Sequence, residues 1–119
     1  MAHLIDLSHT VEHGMVTYQG LPAPVMCDFL SREASREQYA PGTEFQIDRI
    51  EMVGNTGTYI DCIDTGERPV HTTLLGHDIP MVEHLCGLSQ LPDRGSRFLA
   101  VPVKVKAFGT FPVRAFAIA

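Results

Sequence analysis

Residues 43–53 read TEFQIDRIEMV. Phe45 and Ile47 alternate with Glu44, Gln46 and Asp48, and Met52 and Val53 extend the apolar side, which predicts a long strand with one face buried. The chain repeats this theme in shorter pieces: HLIDLS over residues 3–8, VMCDFL over 25–30, IPMVEHL over 79–85, RFLAVPVKV over 97–105 and VRAFAI over 113–118. Gly, Pro, Asn and Asp separate the runs and turn the chain between them. Pro102 withholds a ladder donor, so the 97–105 strand belongs at a sheet edge or a bulge. One helical turn is expected at residues 71–75, stopped near Gly76. There is no repeat and no long amphipathic helix. The expected fold class is α/β and β-rich, with few short helices.

The connecting segments read as follows. Residues 9–24 form an exposed loop rich in Gly and Pro, and SREASREQYAPG, the most polar stretch, is expected to be a mobile surface excursion. Asn55, Thr56 and Gly57 make a tight turn into TYID, which brings Asp61 back toward the preceding strand. Residues 64–69 are turn-like.

With 119 residues, 45% of them hydrophobic, the chain has enough apolar material for one modest core, so 1–119 is expected to be a single domain. A formal charge of −5 without any cluster of Lys or Arg excludes a phosphate-backbone partner, hence nucleic acid. No stretch approaches a membrane span, and MAHLIDLSH has neither the basic start nor the apolar run of a secretion signal, so the expected location is cytoplasmic. Cys27, Cys62 and Cys86 are odd in number and lack CxxC spacing, which predicts buried, reduced thiols rather than a disulfide framework or zinc knuckle.

Residues 53–71, VGNTGTYIDCIDTGERPVH, hold the residue types a hydrolytic site needs: a Gly-Thr turn, two aspartates and a histidine. Here the chain resembles the metal-dependent cyclase family that includes kynurenine formamidases and isatin hydrolases. DLSHTVEHGMVTYQGLPAPV is similar to that family's opening strand and Gly-Met-Tyr-Pro loop. HTTLLGHDIPMVEHLCGL, followed by RFLAVPVKVKAFGTFPVRAFAI, is similar to its closing segment.

The resemblance implies a shortened form of the family's swivelling β/β/α fold, with the central part missing between about residues 61 and 64. Against the family signature HxGTHxDxPxH, residues 55–65 read NTGTYIDCIDT. Asn55 and Tyr59 occupy the two imidazole positions, Asp61 keeps the carboxylate, and Thr65 falls where the acid/base His stands. The second metal's ligands survive as Asp61, His71 and Glu83, the last two at the family spacing of twelve residues. Two oxygens and one imidazole suit Zn²⁺ or Mn²⁺ with a position open to water. The implied activity is hydrolysis of an amide or formamide such as N-formylkynurenine, the implied partner a small-molecule substrate, and the implied assembly a homo-oligomer, a dimer or larger. Tyr18 is a candidate for stacking on that substrate. His9, His13, His77 and His84 are the candidates for moving protons.

Plainer roles stand beside these. His71 can be a helix-capping residue, Asp61 and Asp64 can be turn formers, and Glu83 can be a solvent-facing strand residue. Tyr18, Tyr39 and Tyr59 can be core edges. At the level of function, the alternative to a hydrolase is a non-catalytic binding or assembly module on the same β framework.

Overall fold

The computed structural model describes residues 2–62 and 68–119. Its strands are β1 (Leu4–Asp6), β2 (Val25–Leu30), β3 (Ile47–Glu51), β4 (Tyr59–Asp61), β5 (Met81–Glu83), β6 (Arg97–Pro102) and β7 (Thr110–Ile118). Two short helices, α1 (Arg32–Arg36) and α2 (Pro69–Leu75), and a 3₁₀ turn at Leu88–Gln90 complete the elements. The chain is thus β-rich, and among the described residues no helix is long and apolar enough to cross a membrane. It divides into two compact units, Met1–Val11 with Gly54–Ala119, and Glu12–Val53.

In the first unit an antiparallel five-stranded sheet runs β1-β7-β4-β5, with β6 also on β7. β7 is its organiser. Along one side it pairs first with β4 (Thr110 to Pro112 against Asp61 to Tyr59) and then with β1 (Phe116 to Ile118 against Asp6 to Leu4). Its other side takes β6, from Val113 to Ile118. In the gap between β4 and β1, the Ser8 hydroxyl accepts from the Ala115 N–H (2.6 Å) and donates to the Ala115 carbonyl (3.0 Å), replacing a missing strand partner. Pro102 ends β6, which among the described residues pairs with β7 alone, as its edge position required.

β7 itself begins three residues earlier than its apolar pattern indicates, and Pro112 lies inside it. Successive residues of a strand aim their N–H groups to opposite sides. The Val113 N–H donates to the Thr58 carbonyl at 2.8 Å, so the donorless nitrogen of Pro112 faces the other way, past the end of β6. The proline therefore costs no ladder bond.

One face of the sheet carries the core. Ile5, Leu7, Ile60, Val113, Ala115 and Ala117 are buried there, with Val82, Leu85, Leu91 and Ala100 packed against them. Leu7 is fully buried, and its backbone ties β7 to the segment after β5: its N–H donates to the Ala115 carbonyl and its carbonyl accepts from the Cys86 N–H. α2 starts on Pro69, whose missing N–H is harmless in the first turn, and stops at Gly76.

The second unit holds the β2–β3 ribbon, with a register shift between Asp28 and Leu30. One expectation fails here. The half-buried strand over 43–53 is a five-residue strand with every residue exposed, because β2 is its only partner among the described residues and a two-stranded ribbon offers no covered face. The polar excursion after β2 contains α1, capped by the Ser31 hydroxyl accepting from the Ala34 N–H at 3.2 Å. Its buried Ser35 donates to the Arg32 carbonyl and accepts from the Phe45 N–H, which anchors the segment. The thiols also differ from expectation: all three cysteines are free, but Cys27 and Cys62 are exposed, one on the open ribbon and the other just beyond the end of β4.

Two consequences are measurable. A Cβ built on Gly54 lies 2.5 Å from the Thr110 carbonyl oxygen, a backbone atom that cannot swing aside. Gly54→Ala is therefore expected to destabilise the protein by about 1–3 kcal/mol, read as a lower urea midpoint, and an unchanged midpoint would refute this contact. The Ser8 N–H and the Arg114 guanidinium hold the Asp6 carboxyl below its ordinary value. A depressed carboxyl contributes stability that is present above its unfolded value and lost as pH falls through the folded one. The pair is half exposed, so the effect is less than about 1 kcal/mol. Asp6→Asn should flatten the acid side of the stability profile, and an equally steep profile in the variant would contradict the assignment.

Candidate functional site

Strand register assembles the site. Directly paired residues share a face of a sheet. Tyr59 pairs with Glu83 and Asp61 with Thr110, and Tyr59 and Asp61 are two apart on β4, so all four lie on the face opposite Ile60 and Phe111. α2, packed on β5, brings His71 to the same place. Asp61, His71 and Glu83 each offer one ligand atom, and these atoms lie within 4.8 Å of one another. The whole cluster is built from the first unit.

The polar contacts are specific. His71 Nε2 is 2.9 Å from Glu83 Oε1 and 3.8 Å from Asp61 Oδ2. The other oxygen of each carboxylate is taken by a hydroxyl: Thr110 Oγ1 donates to Asp61 Oδ1 at 2.6 Å, and the Tyr59 hydroxyl donates to Glu83 Oε2. Asp61 is 3% exposed, and its Oδ2 is a buried oxygen with no hydrogen-bond donor. Burial pushes the Glu83 carboxyl up, but the Tyr59 hydroxyl, the His71 ring and the Arg68 charge outweigh it and hold the group below its ordinary value.

The three ligand atoms are close enough to hold a small divalent cation. Bonds of about 2.0–2.2 Å separate the corners of a tetrahedron by about 3.3–3.6 Å, and the observed 2.9 and 3.8 Å straddle that range. The unsatisfied Asp61 Oδ2 supplies the independent reason: a carboxylate oxygen withdrawn from water is costly unless a cation or a donor meets it.

Of the sequence candidates, Asp61, His71 and Glu83 come together. Tyr59 joins them as a hydrogen-bond donor, its side chain fully buried, whereas Asn55 is half-buried in the turn before β4. Asp64 and Thr65 lie outside the described residues. Tyr18 and His13 belong to the second unit, where His13 Nδ1 accepts from the Met26 N–H. His77 bonds the Thr73 carbonyl on α2. His84 adopts a left-handed backbone (φ 57°) directly after Glu83, and its ring tilts against Tyr59 with centroids 5.7 Å apart. Thr58 fixes that corner: its hydroxyl donates to the His84 carbonyl and accepts from the His9 N–H.

Thr110 is the site residue that sequence reasoning missed. It stood in an expected loop, and only the extension of β7 past Pro112 sets it opposite Asp61. A cavity of about 300 Å³ lined by Ile60, Cys62, Val105, Phe108, Thr110 and Phe111 touches the cluster only at Thr110. A hollow of about 400 Å³, bounded by Asp6, Ser8, His9, Val11, Pro112 and Arg114, includes the residues that follow Thr110 along its own face of β7.

A cluster kept for binding rather than stability should resist its own charge. Asp61→Asn removes one buried negative charge and lets the new amide donate toward Glu83, while Oδ1 still accepts from Thr110. In chelator-treated protein this variant is expected to melt about 4 °C higher, a gain of about 1 kcal/mol. A lower melting temperature would count against the picture of a carboxylate oxygen left without a donor.

Comparison with protein-family models, with curated proteins and with solved structures finds no match to this chain.

Proposed function

We propose that the chain binds one zinc or manganese ion through Asp61, His71 and Glu83 and hydrolyses an amide or formamide of an aromatic amine, such as N-formylkynurenine, as a shortened member of the metal-dependent cyclase family. The observation that carries the reading is the buried, donorless Asp61 Oδ2 facing His71 Nε2 beside Glu83. Two oxygens and one imidazole match the preference of both metals. The antiparallel sheet that presents these ligands on one face is compatible with a reduced form of the family's swivelling β/β/α fold.

Held by Asp61, His71 and Glu83, a divalent ion would activate water near neutral pH and polarise a carbonyl oxygen, the two demands of formamide hydrolysis. The rest of the work falls to the chain. His71 is held by α2, and the two hydroxyls of Tyr59 and Thr110 fix the carboxylates, so the ligands are oriented before anything binds. The hollow beside Pro112 gives a small molecule room on the same face of β7, with Arg114 and His9 at its wall. His84, packed on Tyr59, is the proton carrier this reading favours.

A second reading, a non-catalytic assembly module that forms dimers or larger oligomers, draws support from apolar residues left open on and after edge strand β6. Val101 is 75% exposed and Val103 66%, with Phe98 and Phe108 about half exposed.

Elemental analysis after incubation with Zn²⁺ or Mn²⁺ is expected to find one ion per chain, lost in Glu83→Ala, together with metal-dependent release of formate from N-formylkynurenine. Protein that retains no ion would remove the basis of the first reading. A bound ion without turnover, in a stable oligomer, would favour the second.

A further inference from the structure

Asp61 and Glu83 face His71 in the same manner. Each carboxylate has one oxygen engaged by a hydroxyl from a paired or neighbouring strand position and the other turned toward the imidazole: Thr110 holds Oδ1 of Asp61 and Tyr59 holds Oε2 of Glu83. The oxygens turned to the imidazole are Oδ2, unsatisfied at 3.8 Å from His71 Nε2, and Oε1, hydrogen-bonded to it at 2.9 Å. Both hydroxyl donors are fixed by the fold. Tyr59, the first residue of β4, is 1% exposed and paired on both sides, and Thr110 is in register with Asp61.

From this arrangement we infer that Tyr59 and Thr110 set the metal preference of the site by restricting both carboxylates to one ligand oxygen each. The inference rests on the proposed cation site and extends it to selectivity. A fixed hydroxyl that donates to one carboxylate oxygen occupies one of its lone-pair sites and turns that oxygen away from the ion, which favours coordination through the other oxygen alone. Two such carboxylates and one imidazole make three ligand atoms, which suits a small four-coordinate ion with one position open. Calcium takes six to eight oxygens and commonly uses a carboxylate through both of its atoms. The two hydroxyls disfavour that mode, so the site discriminates by ligand count as well as by the imidazole. Tyr59 and Thr110 are positioning residues here, since neither oxygen is itself a ligand.

The experiment uses the full chain stripped with a chelator. Zn²⁺ and Ca²⁺ affinities are measured by titration, and Co²⁺ is used as a spectroscopic probe, because four-coordinate cobalt absorbs visible light far more intensely than six-coordinate cobalt. Wild-type protein should prefer Zn²⁺ and give the intense band. Tyr59→Phe and Thr110→Val each free a carboxylate oxygen. Both should lower the Zn²⁺-to-Ca²⁺ affinity ratio by about 10–100-fold, the usual reach of groups that orient metal ligands, and weaken the cobalt band. Thr110→Ser keeps the hydroxyl and should retain the wild-type ratio and spectrum. If Thr110→Val fails to fold, Tyr59→Phe, which preserves the buried ring, carries the test.

Wild-type zinc binding with an unchanged ratio and cobalt spectrum in the folded variants would overturn the selectivity inference and leave the cation site standing. Absence of any binding by wild-type protein would overturn both. Binding that survives His71→Ala belongs elsewhere, the three thiols included, and would also overturn both.

Discussion

The hydrogen-bond ladder of β7 is the constraint on which the first unit depends. Nine consecutive residues, Thr110–Ile118, collect β4, β1 and β6, elements drawn from widely separated parts of the chain. The alternation of its side chains then sorts chemistry from packing. Val113, Ala115 and Ala117 enter the core, whereas Thr110 stands on the opposite face beside Asp61. A slip of one residue in this ladder would send the alanines outward and bring Thr110 into the apolar layer, so the register that closes the core is also the register that builds the site.

β4 shows what this sorting costs. All three of its residues are buried, although Tyr59 and Asp61 are polar. The hydroxyl of Tyr59 has Glu83, and Asp61 Oδ1 has Thr110, but Asp61 Oδ2 has no donor. Burial without satisfaction is a net loss to folding, and a bound water or cation is what offsets it. The neighbouring left-handed His84 places a second unfavourable feature next to Glu83, and such features gather at sites where the surroundings hold them for a purpose.

Much of this was legible before the structure. The β-rich class, the strand at 25–30, the edge position imposed by Pro102 and the helical stop at Gly76 follow from local rules, because each depends on residues close in sequence. The convergence of Asp61, His71 and Glu83 rested on spacing and resemblance, and the geometry brings the three together. What escaped was non-local. The 43–53 pattern describes a strand that could be covered, but whether a covering layer exists is a property of the fold, and β3 lies open. Pro112 disguised the start of β7, since a proline signals a strand break unless its missing donor faces an unpaired side, and with that start went Thr110. Cys27 and Cys62 are exposed for the same reason: a small apolar residue type marks a preference for burial, and neighbouring elements decide it.

The order of these strands along the chain also bears on how the protein is made. β1, β4 and β6 are all synthesised before the strand that joins them, and the contacts that unite them span up to roughly the whole length of the molecule. Such long-range pairing closes large loops and is slow. On the ribosome, a nascent chain lacking residues 110–118 carries three strands with open edges and an Asp61 whose hydroxyl donor has yet to emerge. The interval before β7 docks is the period in which these edges are most prone to pair with another chain, and the cluster around His71 reaches its final form only when that interval ends.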